Sequence, residues 1–202
     1  MNLGQTNLYL ARMTDNFIEY LKNYIPLDKE DISKLYTFSE KKVYEKNEMI
    51  FCEGKISHDI YFVVKGCVRL FYNVHGKDRT AFFYTEGQFI CAGESYTFQV
   101  PAKENFQAIE ETTLMIFSRK NTDKLLEISP KFELIARIAT ENELISCQKI
   151  IASFVTQSAE ERYKELLNNN GKLFQRVPQQ YIASFLGVSP ETLSRIKKRV
   201  LG

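Results

Sequence analysis

Between residues 42 and 117 the chain breaks into eight short runs rich in β-branched and aromatic side chains: 43–44, 49–51, 60–64, 68–72, 80–84, 89–90, 106–109 and 113–117. Such residues fit a pleated, half-buried surface. Turn signals at Gly54, Gly66, Gly76 and Gly87 punctuate the runs. Many short strands at even spacing, separated by glycine turns, predict an antiparallel β-roll or jelly-roll barrel and argue against a parallel sheet.

Helical periodicity flanks this region on both sides. In residues 14–25, Phe17, Ile18, Leu21 and Ile25 share one helical face, and Pro26 ends it. Residues 28–35 offer a second short helix through Ile32 and Leu35, and the two helices are expected to cover the roll as a lid. After Phe117 a short helix over 120–128 is interrupted by Pro130, and a long one follows over 131–154. Within it Ile135, Ile138, Asn142, Ile145, Lys149 and Ala152 alternate spacings of three and four, a heptad-like seam. A long exposed helix with such a seam packs on a copy of itself, so Ile135, Ile138, Asn142 and Ile145 are the candidate dimerisation residues. The alternative is packing against the chain's own barrel. Ser158 and Glu161 have capping-box spacing and start a helix over 159–167. Residues 168–171 turn, and Leu173-Phe174 is expected to form a short strand.

The last thirty residues read as helix, turn and helix. Ile182, Ala183 and Leu186 line one face of the first helix, and Ala183 is small enough for a crossing helix to approach. Gly187 supplies the left-handed residue that ends it, and Val188 plugs the space between the two. Ser189 is placed to cap the second helix, Pro190 suits its first position, and Glu191 puts negative charge near its positive end. Leu193, Ile196 and Val200 turn inward, leaving Pro190, Glu191, Ser194, Arg195 and Lys198 outward. From Lys172 onward six cations (Lys172, Arg176, Arg195, Lys197, Lys198, Arg199) stand against Glu191 alone, a net +5. The whole chain carries +2, so residues 1–171 sum to −3. A basic terminal module on a slightly acidic body is the electrostatic footprint of phosphate binding. The candidate DNA-contacting set is Gln179, Ser189, Pro190, Glu191, Thr192, Ser194, Arg195, Lys197, Lys198 and Arg199.

The fold expected is therefore α+β, in three parts. Residues 1–130 form an antiparallel β-roll or jelly-roll barrel with flanking helices. Residues 131–155 form a long dimerisation helix, and 156–202 a helix-turn-helix domain of winged-helix type. No run of about 18 apolar residues exists to span a membrane. Residues 1–7 lack the pattern of a signal peptide, so a cytoplasmic protein with no membrane partner is expected. Cys52, Cys67, Cys91 and Cys147 are widely separated, and the first three fall in apolar stretches where buried free thiols are usual. A cupin-type barrel enzyme would need clustered histidines, and His58 and His75 stand alone. No catalytic residue, metal site or cofactor is expected. A regulatory subunit acting on a protein partner is disfavoured by the basic run ending at Arg199.

The helical lid, glycine-punctuated barrel, long helix and terminal helix-turn-helix together resemble the Crp–Fnr superfamily of bacterial transcription regulators, from about Asp15 to the end. The local carriers are Glu53-Gly54, residues 60–70, Gly76-Lys77, residues 86–89, Gly93-Glu94 and the Gly187–Arg195 core. The resemblance implies a homodimer joined along the long helix, double-stranded DNA and RNA polymerase as partners, and an effector site in the barrel. It places Glu191, Ser194 and Arg195 against bases or adjacent backbone. Arg195 suits guanine O6 and N7, and Glu191 can accept from cytosine N4. Pro190 stands where several members carry a base-reading Arg, which implies a different operator at that base pair. Nucleotide-binding members follow Gly-Glu with Arg-Ser or Arg-Thr about ten residues later. Here Gly93-Glu94 is present, but the matching pair is Glu104-Asn105. The candidate effector residues are Gly93, Glu94, Ser95, Glu104 and Asn105. A carboxylate repels a cyclic phosphate, so binding of cyclic AMP is not expected. The alternative is a nucleotide-responsive regulator in which Lys103 or Arg119 supplies the missing cation.

Overall fold

The structure, a computed structural model, describes residues 16–201. Residues 1–7 and the first two residues of the expected N-terminal helix lie outside the described residues. All eight expected strands are present: β1 (Glu40–Tyr44), β2 (Met49–Phe51), β3 (Asp59–Lys65), β4 (Val68–Val74), β5 (Lys77–Tyr84), β6 (Phe89–Ile90), β7 (Asn105–Ala108) and β8 (Thr112–Ser118). They form two antiparallel sheets, ordered β1-β8-β3-β6 and β2-β7-β4-β5. The alternation of each strand sorts its side chains onto two faces. Tyr61 and Val63 of β3 point between the sheets with Val68, Leu70, Tyr84, Phe106 and Leu114. Phe62 and Val64 point the other way, into a core shared with the helices.

That second core holds α1 (Asn16–Lys22) and α2 (Lys29–Thr37) against the first sheet. Phe17 and Phe62 have ring centroids 4.6 Å apart. A capping box at Asp28 and Asp31 starts α2, so both expected lid helices are seen in place. A short α3 (Gly93–Phe98) follows β6, and α4 (Arg119–Ile128) follows β8. Ser129 then caps the 27-residue α5 (Pro130–Thr156), with Pro130 in its first turn, where the absent N–H costs nothing.

The C-terminal unit consists of α6 (Ala159–Asn170), α7 (Leu173–Arg176), α8 (Gln179–Phe185) and α9 (Pro190–Leu201). The expected strand at Leu173-Phe174 is instead α7. Gly171 keeps right-handed helical angles (φ −53°, ψ −29°), so the chain coils on rather than reversing, and Val177 N–H closes back on Leu173 C=O. Among the described residues no strand follows β8, so the module is helical throughout. Its core is not self-contained. Tyr163, Leu173, Ile182, Leu193 and Ile196 share one cluster with Phe83 of β5 and with Cys67 and Ile109, which flank β4 and β7.

Candidate nucleic-acid interface and sensor barrel

The turn between α8 and α9 is built by its own backbone. Gly187 has φ +71°, Val188 N–H bonds to Ala183 C=O at 3.0 Å, and Gly187 N–H bonds to Ser184 C=O at 3.0 Å. This is the paired pattern of a Schellman motif. Arg162 of α6 adds a third tie, its Nη2 donating to Leu186 C=O at 2.9 Å. Ser189 caps α9 by accepting from Thr192 N–H at 3.2 Å. Leu193 and Ile196 are buried, while Ser189, Pro190, Glu191, Ser194, Arg195, Lys197, Lys198 and Arg199 are exposed. Thr192, half-buried, accepts from Arg195 Nη2 at 3.1 Å and so orients that guanidinium. The Ser189 hydroxyl holds the Glu191 carboxyl below its ordinary range. Gln179 is exposed at the start of α8, and Arg199 pairs with Glu160 at 3.2 Å. One cation of the basic count is spent elsewhere: Arg176 is bonded to Glu86 and Glu110 of the roll.

Of the five candidate effector residues, Gly93 lines the cavity described below. Gly93 and Glu94 are exposed at the start of α3. Ser95 is fully buried, accepting from Ser57 N–H at 2.9 Å and donating to Val100 C=O at 2.5 Å, so it ties loops together. Asn105 is also buried and grips Glu53 twice, accepting from its N–H at 3.0 Å and donating to its carboxylate at 3.3 Å. Glu104 accepts from the neighbouring Lys103 N–H at 3.1 Å. Neither replacement cation is idle: Lys103 pairs with Glu94 at 3.3 Å, and Arg119 donates to Tyr96 C=O. Between the sheets, Phe51, Tyr61, Tyr84 and Phe106 fill the space. Tyr84 reaches across to α5, its hydroxyl donating to Glu143 at 2.8 Å. Burial, and then the adjacent Glu143 charge, push the Tyr84 phenol well above its ordinary range. Burial likewise raises Glu143, against the lowering effect of the Tyr84 bond. A separate cavity of 530 Å³ opens between α3, α4 and α5, lined mainly by apolar side chains such as Phe89, Phe117, Leu125 and Phe132.

The four candidate dimerisation residues run from buried to exposed along the long helix. Ile135 is 8% exposed and belongs to the chain's own core. Ile138 borders Tyr20 and Leu21 of α1, and Asn142 lies beside the Tyr20 hydroxyl. Ile135 and Ile138 thus meet α1 within the chain, while Asn142 stays exposed, since heptad spacing marks a stripe without naming what covers it. Ile145 is exposed, as expected of a pairing residue. The open apolar stripe consists of Leu144, Ile151 and Val155, exposed by 58%, 64% and 79% and spaced by seven and four residues.

Two features escaped the reading of the sequence: the apolar cavity and the contact between the terminal module and the roll. A usable signal for the second was Arg69, a lone cation inside the apolar run 68–72. The cysteines are all free, with Cys67 buried, Cys52 and Cys91 half-buried and Cys147 exposed. Among the described residues no helix is long and apolar enough to cross a membrane, and no His, Cys, Asp and Glu group is placed to hold a metal ion.

Residues 41–129 match the cyclic nucleotide-binding domain family, which defines the class of the roll. The nitrogen fixation regulation protein FixK of Rhizobium meliloti (strain 1021) is 28% identical over 163 residues, 76% of this chain and 71% of FixK. The cyclic AMP receptor protein of Thermus thermophilus is 26% identical over 174 residues, 83% of this chain and 79% of that protein. The structure of FixK2 from Bradyrhizobium japonicum superposes with a TM-score of 0.68 at 22% identity, covering 80% of this chain and 84% of that one, which establishes a shared fold. Beyond the matched domain, the chain is similar over most of its length to FixK and to the cyclic AMP receptor protein.

Proposed function

We propose that the protein is a homodimeric, sequence-specific DNA-binding transcription regulator whose barrel does not bind cyclic AMP or cyclic GMP. The observation that carries the first part is α9. Its apolar residues are buried against α8, while Glu191, Ser194, Arg195 and Lys198 stand together in solvent. A helix held by its inner face, with a basic outer face, can enter a major groove. Arg195, steadied by Thr192, then reads guanine, Glu191 accepts from cytosine, and Lys198 meets phosphate. RNA polymerase is the second expected partner.

Arg195→Ala is expected to weaken binding to a selected operator by about 1–3 kcal/mol and to relax preference at one base pair. Lys198→Ala should weaken binding to every sequence and lower the salt slope by about one. Anisotropy titrations on specific and random duplexes across salt concentrations check both. Equal losses on the two duplexes for both variants would show the roles to be misassigned.

The barrel's part of the proposal is supported by the apolar cluster between the sheets and by the pairing of Lys103 with Glu94 and of Arg119 with Tyr96 C=O. Losing a charge-assisted bidentate contact to a phosphate forfeits on the order of 1.5–3 kcal/mol, before repulsion by Glu104 is counted. Calorimetry should therefore detect no micromolar binding of cyclic AMP or cyclic GMP, and neither should alter operator binding. Replacing Glu104 by Arg and Asn105 by Ser should give no measurable nucleotide affinity, since Glu53 then loses both of its bonds to Asn105. A dissociation constant near micromolar for either nucleotide in the wild type would overturn this.

A further inference from the structure

The terminal module is fastened to the roll along β5, one of the two edge strands of the second sheet. An edge strand leaves backbone amides without a ladder partner. Here the Thr80 N–H donates to the Ser184 hydroxyl of α8 at 2.9 Å. Beside it Phe83 and Phe185 have ring centroids 5.4 Å apart.

Two guanidinium groups flank this contact. Arg69 of β4 is 2% exposed and stacks on Phe71 of its own strand (4.0 Å) and on Tyr181 of α8 (3.7 Å). Its Nη2 donates to Asp78 and to Gln107, both at 2.8 Å. The ion is thus oriented by the roll and roofed by the module. Arg176 leaves the module in the other direction. It donates to both oxygens of Glu86, at 2.8 and 3.0 Å, and through Nε to Glu110 at 2.9 Å. Glu86 is itself held by Gly66 N–H at 2.9 Å. Planar, multiply bonded pairs of this kind restrict orientation as well as distance.

β5 also grips the long helix from its other face, through Tyr84 and Glu143. One strand therefore joins the helix that carries the exposed apolar stripe to the helix pair that carries the reading face. No residue of that outward face (Glu191, Ser194, Arg195, Lys198) takes part in the contact, so docking leaves it open.

We infer that Arg69 and Arg176 are positioning residues for DNA recognition: with β5 they set the angle at which α9 is presented relative to α5, without a bound ligand. This rests on the proposal that α9 reads DNA in a dimer. Two reading heads held at a fixed separation act as one bivalent ligand, and heads on loose tethers forfeit part of that gain. The clamp therefore governs tolerance to half-site spacing, and leaves the affinity of one head for one half-site untouched.

The test uses the full-length protein and an operator selected by it from a random pool. Three duplexes are titrated: the operator, the same half-sites separated by five extra base pairs, and a single half-site. The wild type should prefer the operator to the respaced duplex by about a hundredfold. Arg176→Gln and Glu110→Gln should bind the single half-site as the wild type does, but discriminate spacing by about tenfold or less. Arg176→Lys, which keeps the charge, should fall between. Loss of stability alone would weaken all three duplexes together and leave their ratio unchanged. The inference is overturned if the Gln variants keep the wild-type ratio, or if they bind the operator more tightly, which would make the contact an inhibitory latch. Failure of the wild type to bind any duplex would instead remove the DNA-reading proposal beneath it.

Discussion

Ile151→Glu is expected to give a monomer that has lost about two to four orders of magnitude in operator affinity while binding a single half-site normally. The exposed stripe of α5 is Leu144, Ile151 and Val155, and Ile151 lies at its centre with 64% of its surface open. Apolar residues repeating at seven and four along an exposed helix are what a second helix covers. Two facing carboxylates in such a seam would be desolvated and would repel each other, so the paired state would lose its advantage. Sedimentation of both proteins at the concentration used for DNA binding reads the outcome directly. Ile138→Glu makes the control. Ile138 lies against α1, so that substitution should lower thermal stability and leave the association state of the folded fraction unchanged. A monomeric wild type that still binds its operator tightly would sink the dimer proposal.

Gly66→Ala is expected to destabilise the roll by about 3–5 kcal/mol, among the larger effects of a single substitution. Gly66 has φ +107°, a conformation that costs a residue with a side chain about 1–3 kcal/mol. A Cβ there would also lie 2.7 Å from Thr112 Cα and 2.9 Å from Glu111 C=O, both backbone atoms that cannot swing aside. At about 2–4 °C per kcal/mol for a chain of this size, the midpoint should fall by roughly 6–20 °C in calorimetry. Gly76 separates the two contributions. It has φ +77° with nothing within 4 Å of the Cβ position, so Gly76→Ala should cost the conformational strain alone. Equal losses at the two sites would mean that the close approach to Thr112 is relieved by movement of β8.

The sequence alone determined the local elements of this protein. Strand periodicity located all eight strands, because alternation of β-branched and aromatic residues is a property of a few consecutive positions. The helix-turn-helix was legible for the same reason: Gly187, Ser189 and the spacing of Leu193 and Ile196 act within one or two turns of chain. The misplaced strand at Leu173-Phe174 shows the limit of short apolar pairs, which one turn of helix accommodates equally well.

Tertiary structure decided what each exposed or apolar face meets. Ile135 has the spacing of a pairing seam, yet it lies in the core shared with α1, which is more than a hundred residues away in sequence. Ser95 and Asn105 have the chemistry of ligand-binding residues, yet Ser57, Val100 and Glu53 consume their hydrogen bonds. Arg176 belongs by position to the basic module, yet its charge is spent on Glu86 and Glu110 of the roll. The physical reason is common to all three. Periodicity and side-chain chemistry state what a face can do, whereas which partner reaches it first is set by long-range packing, and a buried donor or carboxylate once satisfied is no longer available to a ligand, a second chain or DNA.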